Sequence, residues 1–414
     1  MQHLSLHLDW QATPALFVSN KLYFNHYDDD RRVTFSNSAA ASLNNLPRQR
    51  RVWDEDQTGL MSTATWRASD ALTVDGGLQI EHQKNLYQRY RYAFAVPTQF
   101  SNPTHTSNDD RYTLNNVGVY AQAIFKATDQ LKIIPGLRLD KFSGRTTLSP
   151  SGATGALQDY GWIKQPKLSM VYSVNDATSV YANWGRTFQI LTGSRAPAYI
   201  TSANQATFAP SINTGTELGV KFKPHPHTDL RVAVWQQDAT DEVANMPSTG
   251  TNVSLGETRR KGIDLQASTR IGSAITLWAS HSVQEAKVRR AFTASGTSLA
   301  GKEVFATPRH ITNAGVDYQA TEALRLGLQA RAQGSYFIDD LNAQGKFGDF
   351  VLVDFNARYA LTKTVSVDLQ VKNLTNRKFA YVWWDNFFWP AGSAQPMYSP
   401  GAGRSAFVSL NVKW

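Results

Sequence analysis

The sequence contains no cysteine. A disulfide framework, a thiolate metal site and a thiol nucleophile are excluded together. No stretch approaches the roughly 18 uncharged apolar residues that a membrane-crossing helix needs, which removes helical membrane proteins from consideration. The opening residues, MQHLSLHLDWQATPALFV, have no basic start, no continuous apolar core and no small-residue cleavage site, so they do not make a secretion signal. An HExxH helix, a phosphate loop and a nucleophile elbow are missing as well. The expectation is a protein that is not an enzyme.

What is present points to strands. Aromatic residues make up 11% of the 414 positions, and glycine and polar turn residues are plentiful, a mixture that suits many strands joined by short turns. The net charge of +9 is spread in short clusters such as Arg48-Gln49-Arg50-Arg51 and Arg259-Arg260-Lys261. Such scatter reads as solvated charge over many loops and not as a nucleic-acid surface.

The strongest signal is alternation. Ala406, Val408, Leu410, Val412 and Trp414 share one face of the C-terminal run, opposite Ser405, Ser409, Asn411 and Lys413. The pattern recurs in 351–361, 324–333, 263–268 and 117–126. A period of two means a strand with one dry and one wet face. Short polar turns fall at Ser69-Asp70, Thr128-Asp129, Asn175-Asp176, Gly272-Ser273, Thr321-Glu322 and Thr362-Lys363. Between them come longer irregular segments at 94–110, 149–158, 194–211, 291–301, 340–348 and 381–402. Short turn, long loop, short turn is the layout of a transmembrane antiparallel up-and-down β-barrel, and it disfavours a soluble sandwich. The runs 48–68 and 251–271 look about twice the 9 to 11 residues a bilayer demands. With apolar rows facing lipid, Asp75, Gln79, Gln122, Arg138, Asp140, Asp264, Gln266, Asp317, Gln329, Arg331, Asp354 and Arg358 line a wide, wet lumen.

Four segments carry a family resemblance. INTGTELGVKFKPHPHTDLRVAVWQQD (212–238), NVSLGETRRKGIDLQAS (252–268), VDLQVKNLTNRKFAYVWW (367–384) and YSPGAGRSAFVSLNVKW (398–414) resemble, in order, strand signatures of the TonB-dependent siderophore receptors. They cover roughly the last half of the chain. Asp264 stands where that family usually has Glu, and Trp414 where it usually ends in Phe. The resemblance implies a Gram-negative outer-membrane barrel, residues 1–414 forming its wall. It further implies a ferric siderophore or other metal chelate as ligand, and contact with outer-membrane lipid or lipopolysaccharide. Coupling to the TonB complex would run through a plug domain. Neither a plug nor its contact box is visible, and roughly seventeen strands can be counted where plugged transporters have about 22. The chain is therefore expected to be an N-terminally truncated barrel, its true start lying upstream. A passive porin-like channel is the alternative.

Candidate binding residues crowd the loop 381–402: Tyr381, Trp383, Trp384, Phe387, Phe388, Trp389 and Tyr398. They suit an aromatic floor for a flat chelate, or an upper aromatic girdle with loop packing. Arg186, Arg195 and Tyr199, near 194–211, could meet an anionic chelate. His225-Pro226-His227 reads as a turn, His3 and His7 as wall residues, and Gly401-Ala402-Gly403-Arg404 as a strand approach with no helix to make a phosphate site. No metal ligand, cofactor or catalytic residue is expected.

Overall fold

The computed structural model describes residues 1–34, 48–92, 103–149, 152, 154–157, 159–190, 209–246, 251–293, 296–385 and 395–413. Among them no helix is long and apolar enough to cross a membrane. The main sheet has eighteen strands. One, Thr154–Ala156, adds only to the upper end of Leu131–Thr147. The other seventeen form a meander from Gln2–Thr13 to Ser405–Val412, each pairing antiparallel with the next wall strand. This is the count expected from alternation. Among the described residues no ladder joins the first strand to the last.

Tight turns lie at one end of the sheet and long connections at the other, as the spacing predicts. Four of the turns share a device. The hydroxyls of Ser69, Thr128, Thr321 and Thr362 accept the backbone N–H three residues on, at 3.1, 3.0, 3.0 and 3.0 Å. A short polar side chain thus holds the chain reversal that the next strand needs.

The register explains the alternation. Leu22 opposes Leu60, Leu60 opposes Ile80, and Ile80 opposes Val117. Farther on, Val220, Val232 and Leu265 continue the same outward row. These side chains are solvent-exposed in the protein alone. Apolar rows turned outward around a sheet this wide have lipid as their natural cover. Trp10, Trp66, Phe125, Tyr172, Phe222, Tyr318 and Tyr359 stand exposed at the short-turn end, forming an aromatic girdle at one membrane interface. At the other boundary the outward row changes character, with Gln236 opposing Lys261 and Lys261 opposing Glu285.

Strand height is uneven. Leu16–Thr34, Arg48–Arg67, Leu72–Tyr92 and Pro103–Lys126 have 19, 20, 21 and 24 residues. His310–Gln319, Leu324–Gln333, Phe350–Ala360, Val365–Lys372 and Ser405–Val412 have 10, 10, 11, 8 and 8. Only about 9 to 11 tilted residues are needed to cross the hydrocarbon. The first group therefore stands well above the membrane.

Above the strands from residue 228 onward, the connections fold into a layer of their own. Hairpins pair Val243–Met246 with Thr251–Ser254, Tyr336–Phe337 with Lys346–Phe347, and Ala380–Asp385 with Gln395–Pro400. Leu255, Ala286, Val288, Ala291, Leu299 and Val304 bury against one another, with Leu299 fully inaccessible. Two expectations need correction here. Residues 103–110 belong to the strand Pro103–Lys126 and not to a loop. The run 251–271 is not one strand, because Gly256 turns it at φ 63° and Leu255 drops into the loop cluster. Positive φ is open to glycine at no steric cost.

Candidate functional site

The luminal face is a polar lattice. All twelve residues assigned to the wet face share it, and many are tied together. Arg138 donates to Asp140 at 2.7 and 2.8 Å and to Gln79 at 2.9 Å, while Gln165 donates to the same Asp140 at 2.6 Å. Asp140 is almost fully buried, so its charge is held by these donors in place of water. Arg231 joins Tyr181 and Glu217 at 2.8 and 2.9 Å. Ser282 donates to Asp264 at 2.7 Å, and Asn25 to Gln57 at 2.7 Å.

Between these nodes, rings replace side chains. Tyr23 lies over Gly59, Tyr120 over Gly77, Tyr181 over Gly219, Trp235 over Gly262 and Trp278 over Gly315, each ring occupying the space a Cβ would take. Each pair is also directly opposed across neighbouring strands. The glycines are required by this close approach. The ring in turn covers a stretch of strand that glycine alone would leave loose.

At the apex, the hairpin Ala380–Asp385/Gln395–Pro400 presents the expected aromatics in two environments. Trp383 and Tyr398 are exposed, Tyr398 to 58%. Trp384 packs instead against the buried Tyr336–Ile338–Val382 cluster, and its N–H donates to the Ile338 carbonyl at 3.2 Å. The Val382 N–H donates to the Tyr336 hydroxyl at 3.1 Å. Tyr381 forms edge contacts with Phe350 and Phe379 at centroid distances of 6.0 Å. Arg331 stands 5.7 Å from the Phe350 ring centre. Phe350, Phe379 and Arg331 join this aromatic group although sequence reading did not single them out for it. Only cross-strand register brings them to the loop. Phe387, Phe388 and Trp389 lie outside the described residues, as do Arg195 and Tyr199. Arg186 shares parity with the outward-facing Trp184 and is exposed.

Next to the hairpins, Glu242 accepts from Arg260 at 2.7 and 2.9 Å and from Thr258 at 2.6 Å. Burial pushes its carboxyl up, but the Arg260 and Thr258 hydrogen bonds outweigh that and hold it below the usual glutamate range.

One group of metal-capable atoms escaped the sequence reading, because its members come from two strands. His26, Asp54 and Asp56 each offer a ligand atom within 4.8 Å of the others. His26 Nδ1 lies 2.9 Å from Asp56, a pairing that accounts for the cluster without an ion. By parity with Leu22 and Leu60 the group faces outward, away from the lumen. His225-Pro226-His227 occupies the turn between Ser211–His225 and Thr228–Thr240, as expected.

Comparison with known proteins agrees with this architecture. Residues 1–374 match the family described as TonB dependent receptor-like, beta-barrel. The ferrichrome outer membrane transporter/phage receptor of Escherichia coli (strain K12) is 24% identical over 315 residues, covering 72% of this chain and 40% of that protein. The ferrioxamine B receptor of Salmonella typhimurium (strain SL1344) is 22% identical over 320 residues, 73% of this chain and 43% of that protein. The chain thus spans less than half the length of either relative. Two solved structures share the fold at a TM-score of 0.80 and 16% identity, covering all of this chain. They are the unliganded ferric citrate transporter FecA, covered over 61% of its chain, and the siderophore receptor PiuA from Acinetobacter baumannii, covered over 64%.

Proposed function

Because the chain belongs to the TonB-dependent receptor-like β-barrel family, we propose that it forms the wall of a Gram-negative outer-membrane receptor for a ferric siderophore or similar metal chelate. The observation that carries this reading is the family match over residues 1–374, set on a wall whose lumen is polar and whose outside is apolar. The names of the two relatives, a ferrichrome transporter and a ferrioxamine B receptor, support the ligand class. The work is recognition and passage, with no covalent step. The wall need supply no ligand to the iron, because the chelator satisfies the metal itself. Energy coupling to the TonB complex would act through a plug of the kind this family carries.

In this reading Trp383 and Tyr398, on opposite faces of the hairpin, each offer a flat apolar face to the chelate, as would Phe387, Phe388 and Trp389, and Trp384 holds the hairpin that presents them. Arg195 and Tyr199 would meet an anionic ligand, whereas Arg186, on the outward face with Trp184, would stand apart from the lumen. The outward row of Gln236, Lys261 and Glu285, directly above the apolar band, suits the headgroups of outer-membrane lipid or lipopolysaccharide.

Uptake of iron-labelled chelates in cells carrying the protein tests the proposal. The Trp383→Ala/Tyr398→Ala variant should lose about tenfold or more in chelate affinity. Energy-independent, steady conductance in planar bilayers, with no chelate bound, would overturn it in favour of a passive channel.

A further inference from the structure

Two neighbouring strands of the wall separate above the membrane. Ile163–Asn175 and Thr178–Gln189 pair from their tight turn up to Lys167↔Gly185, and among the described residues no rung joins them above that pair. Both strands continue past it. Residues 163–166 stay paired with Leu131–Thr147 as far as Asp140↔Ile163, and residues 186–189 stay paired with Ser211–His225 as far as Gln189↔Ser211. A seam therefore runs up the wall between Pro166 and Arg186.

The sequence itself stops the ladder there. The next rung would join residues 166 and 186, and Pro166 has no N–H to give it. The seam also opens at a height where open backbone groups are tolerated. Leu168 and Trp184, opposed in the ladder, belong to the outward apolar row, and the exposed Lys164 and Arg186 stand above them. Backbone groups at that level meet water, whereas lipid would leave them unpaired.

Side chains close the seam in place of rungs. Leu114, Phe142 and Ile163 are buried on one side of it, and Phe188 and Ile212 pack against their cluster from the other. The rings of Phe142 and Phe188 meet edge to face, with centres 5.6 Å apart. By alternation from Trp184, Phe188 belongs to the outward set, while Phe142 follows Asp140 in the luminal set. The ring of Phe188 reaches the luminal cluster because no ladder stands in its way.

We propose that the seam is a side gate, in which 163–166 and 186–189 part and rejoin to widen the mouth of the bore, with the Phe142–Phe188 contact as its latch. A contact between a few side chains opens locally, whereas rungs of a continuous sheet open together. The motion does not depend on what the bore admits. Its purpose, admission of a chelate, rests on the receptor reading above.

The chain has no cysteine, so introduced thiols are the only ones. Lys164→Cys with Arg186→Cys places a pair across the seam, and Ser173→Cys with Ser179→Cys places one across an intact rung of the same two strands. In the purified protein in detergent, bis-maleimides of graded span should capture the seam pair with short and long reagents alike, and the control pair with the shortest alone. Phe188→Ala should speed capture by the longest reagent about tenfold or more, and Phe188→Leu should do so less. In cells, a short link across the seam should remove most uptake of an iron chelate, and a long link should leave it. A seam pair captured like the control, or capture by the longest reagent at an unchanged rate in Phe188→Ala, overturns the gate and leaves the receptor reading standing. Uptake undiminished by the short link overturns its part in admission. Absence of uptake in the unlinked protein overturns the receptor reading, and the capture series then decides the gate by itself.

Discussion

The tall wall of residues 16–147 and the low wall of residues 310–412 reach beyond the membrane by different means. On the tall side the ladder simply continues, and the outward row turns from Leu22 and Phe24 to His26, Asp28 and Asp30 without loss of register. On the low side the ladders stop near bilayer length, and the connections above them carry the buried Tyr336–Ile338–Val382 cluster, beside the cluster that Leu299 fills within residues 255–304. Height made of ladder is held by backbone hydrogen bonds and tolerates polar residues on both faces over most of its extent, with one buried apolar cluster at Tyr112, Leu114 and Phe142. Height made of loops needs a dry interior, and so depends on a few side chains.

The sharpest way to break this contrast is to hollow the loop layer. Leu299→Ala or Ile338→Ala should cost about 2–5 kcal/mol locally, since both side chains are buried almost completely. Hydrogen exchange should then show lost protection in 291–309 or 334–349 and an unchanged tall wall. A somewhat smaller effect separates band from extension. Leu265→Arg, in the lipid-facing row, should cost about 2–4 kcal/mol of barrel stability, and the same charge at Thr58 on the tall strand about 0–1 kcal/mol. Urea titration of protein refolded in detergent or lipid would measure both. Gly59→Ala should displace the Tyr23 ring and cost about 1–3 kcal/mol by the same titration, because the added methyl meets the ring itself. The smallest change concerns pH. Glu242 has its folded-state value depressed, so its contribution is present above about pH 4 and is lost as pH falls through the lowered value. Glu242→Gln should remove that acid dependence and about 1 kcal/mol of hairpin stability, read by proteolysis at 241–256 between pH 3 and 6.

The same contrast decides what could be read in advance. Alternation is a local property, so Leu324 to Ala330 or Val351 to Tyr359 announce their strand and its dry face directly. The turns at Ser69 and Thr128 were equally legible, because a single hydroxyl makes the hydrogen bond that defines them. The loop layer was not. Leu255 and Leu299 are 44 positions apart in the chain, and nothing local tells either that the other will cover it. Trp383 and Trp384 look alike in sequence, yet alternation across a loop hairpin packs Trp384 against buried neighbours and leaves Trp383 exposed. His26 meets Asp54 and Asp56 only through a register that no single segment encodes.

Five times on the inner wall, a ring lies flat where its neighbour has no side chain. Such a surface is veneered: thick groups are laid along the wall, and none need project into the bore. Cargo sliding past would meet plates and shallow hollows with few snags, and the panels beneath would resist bending. Breadth of passage and stiffness of the tube, ordinarily in competition, would come from one exchange of a methyl for a ring.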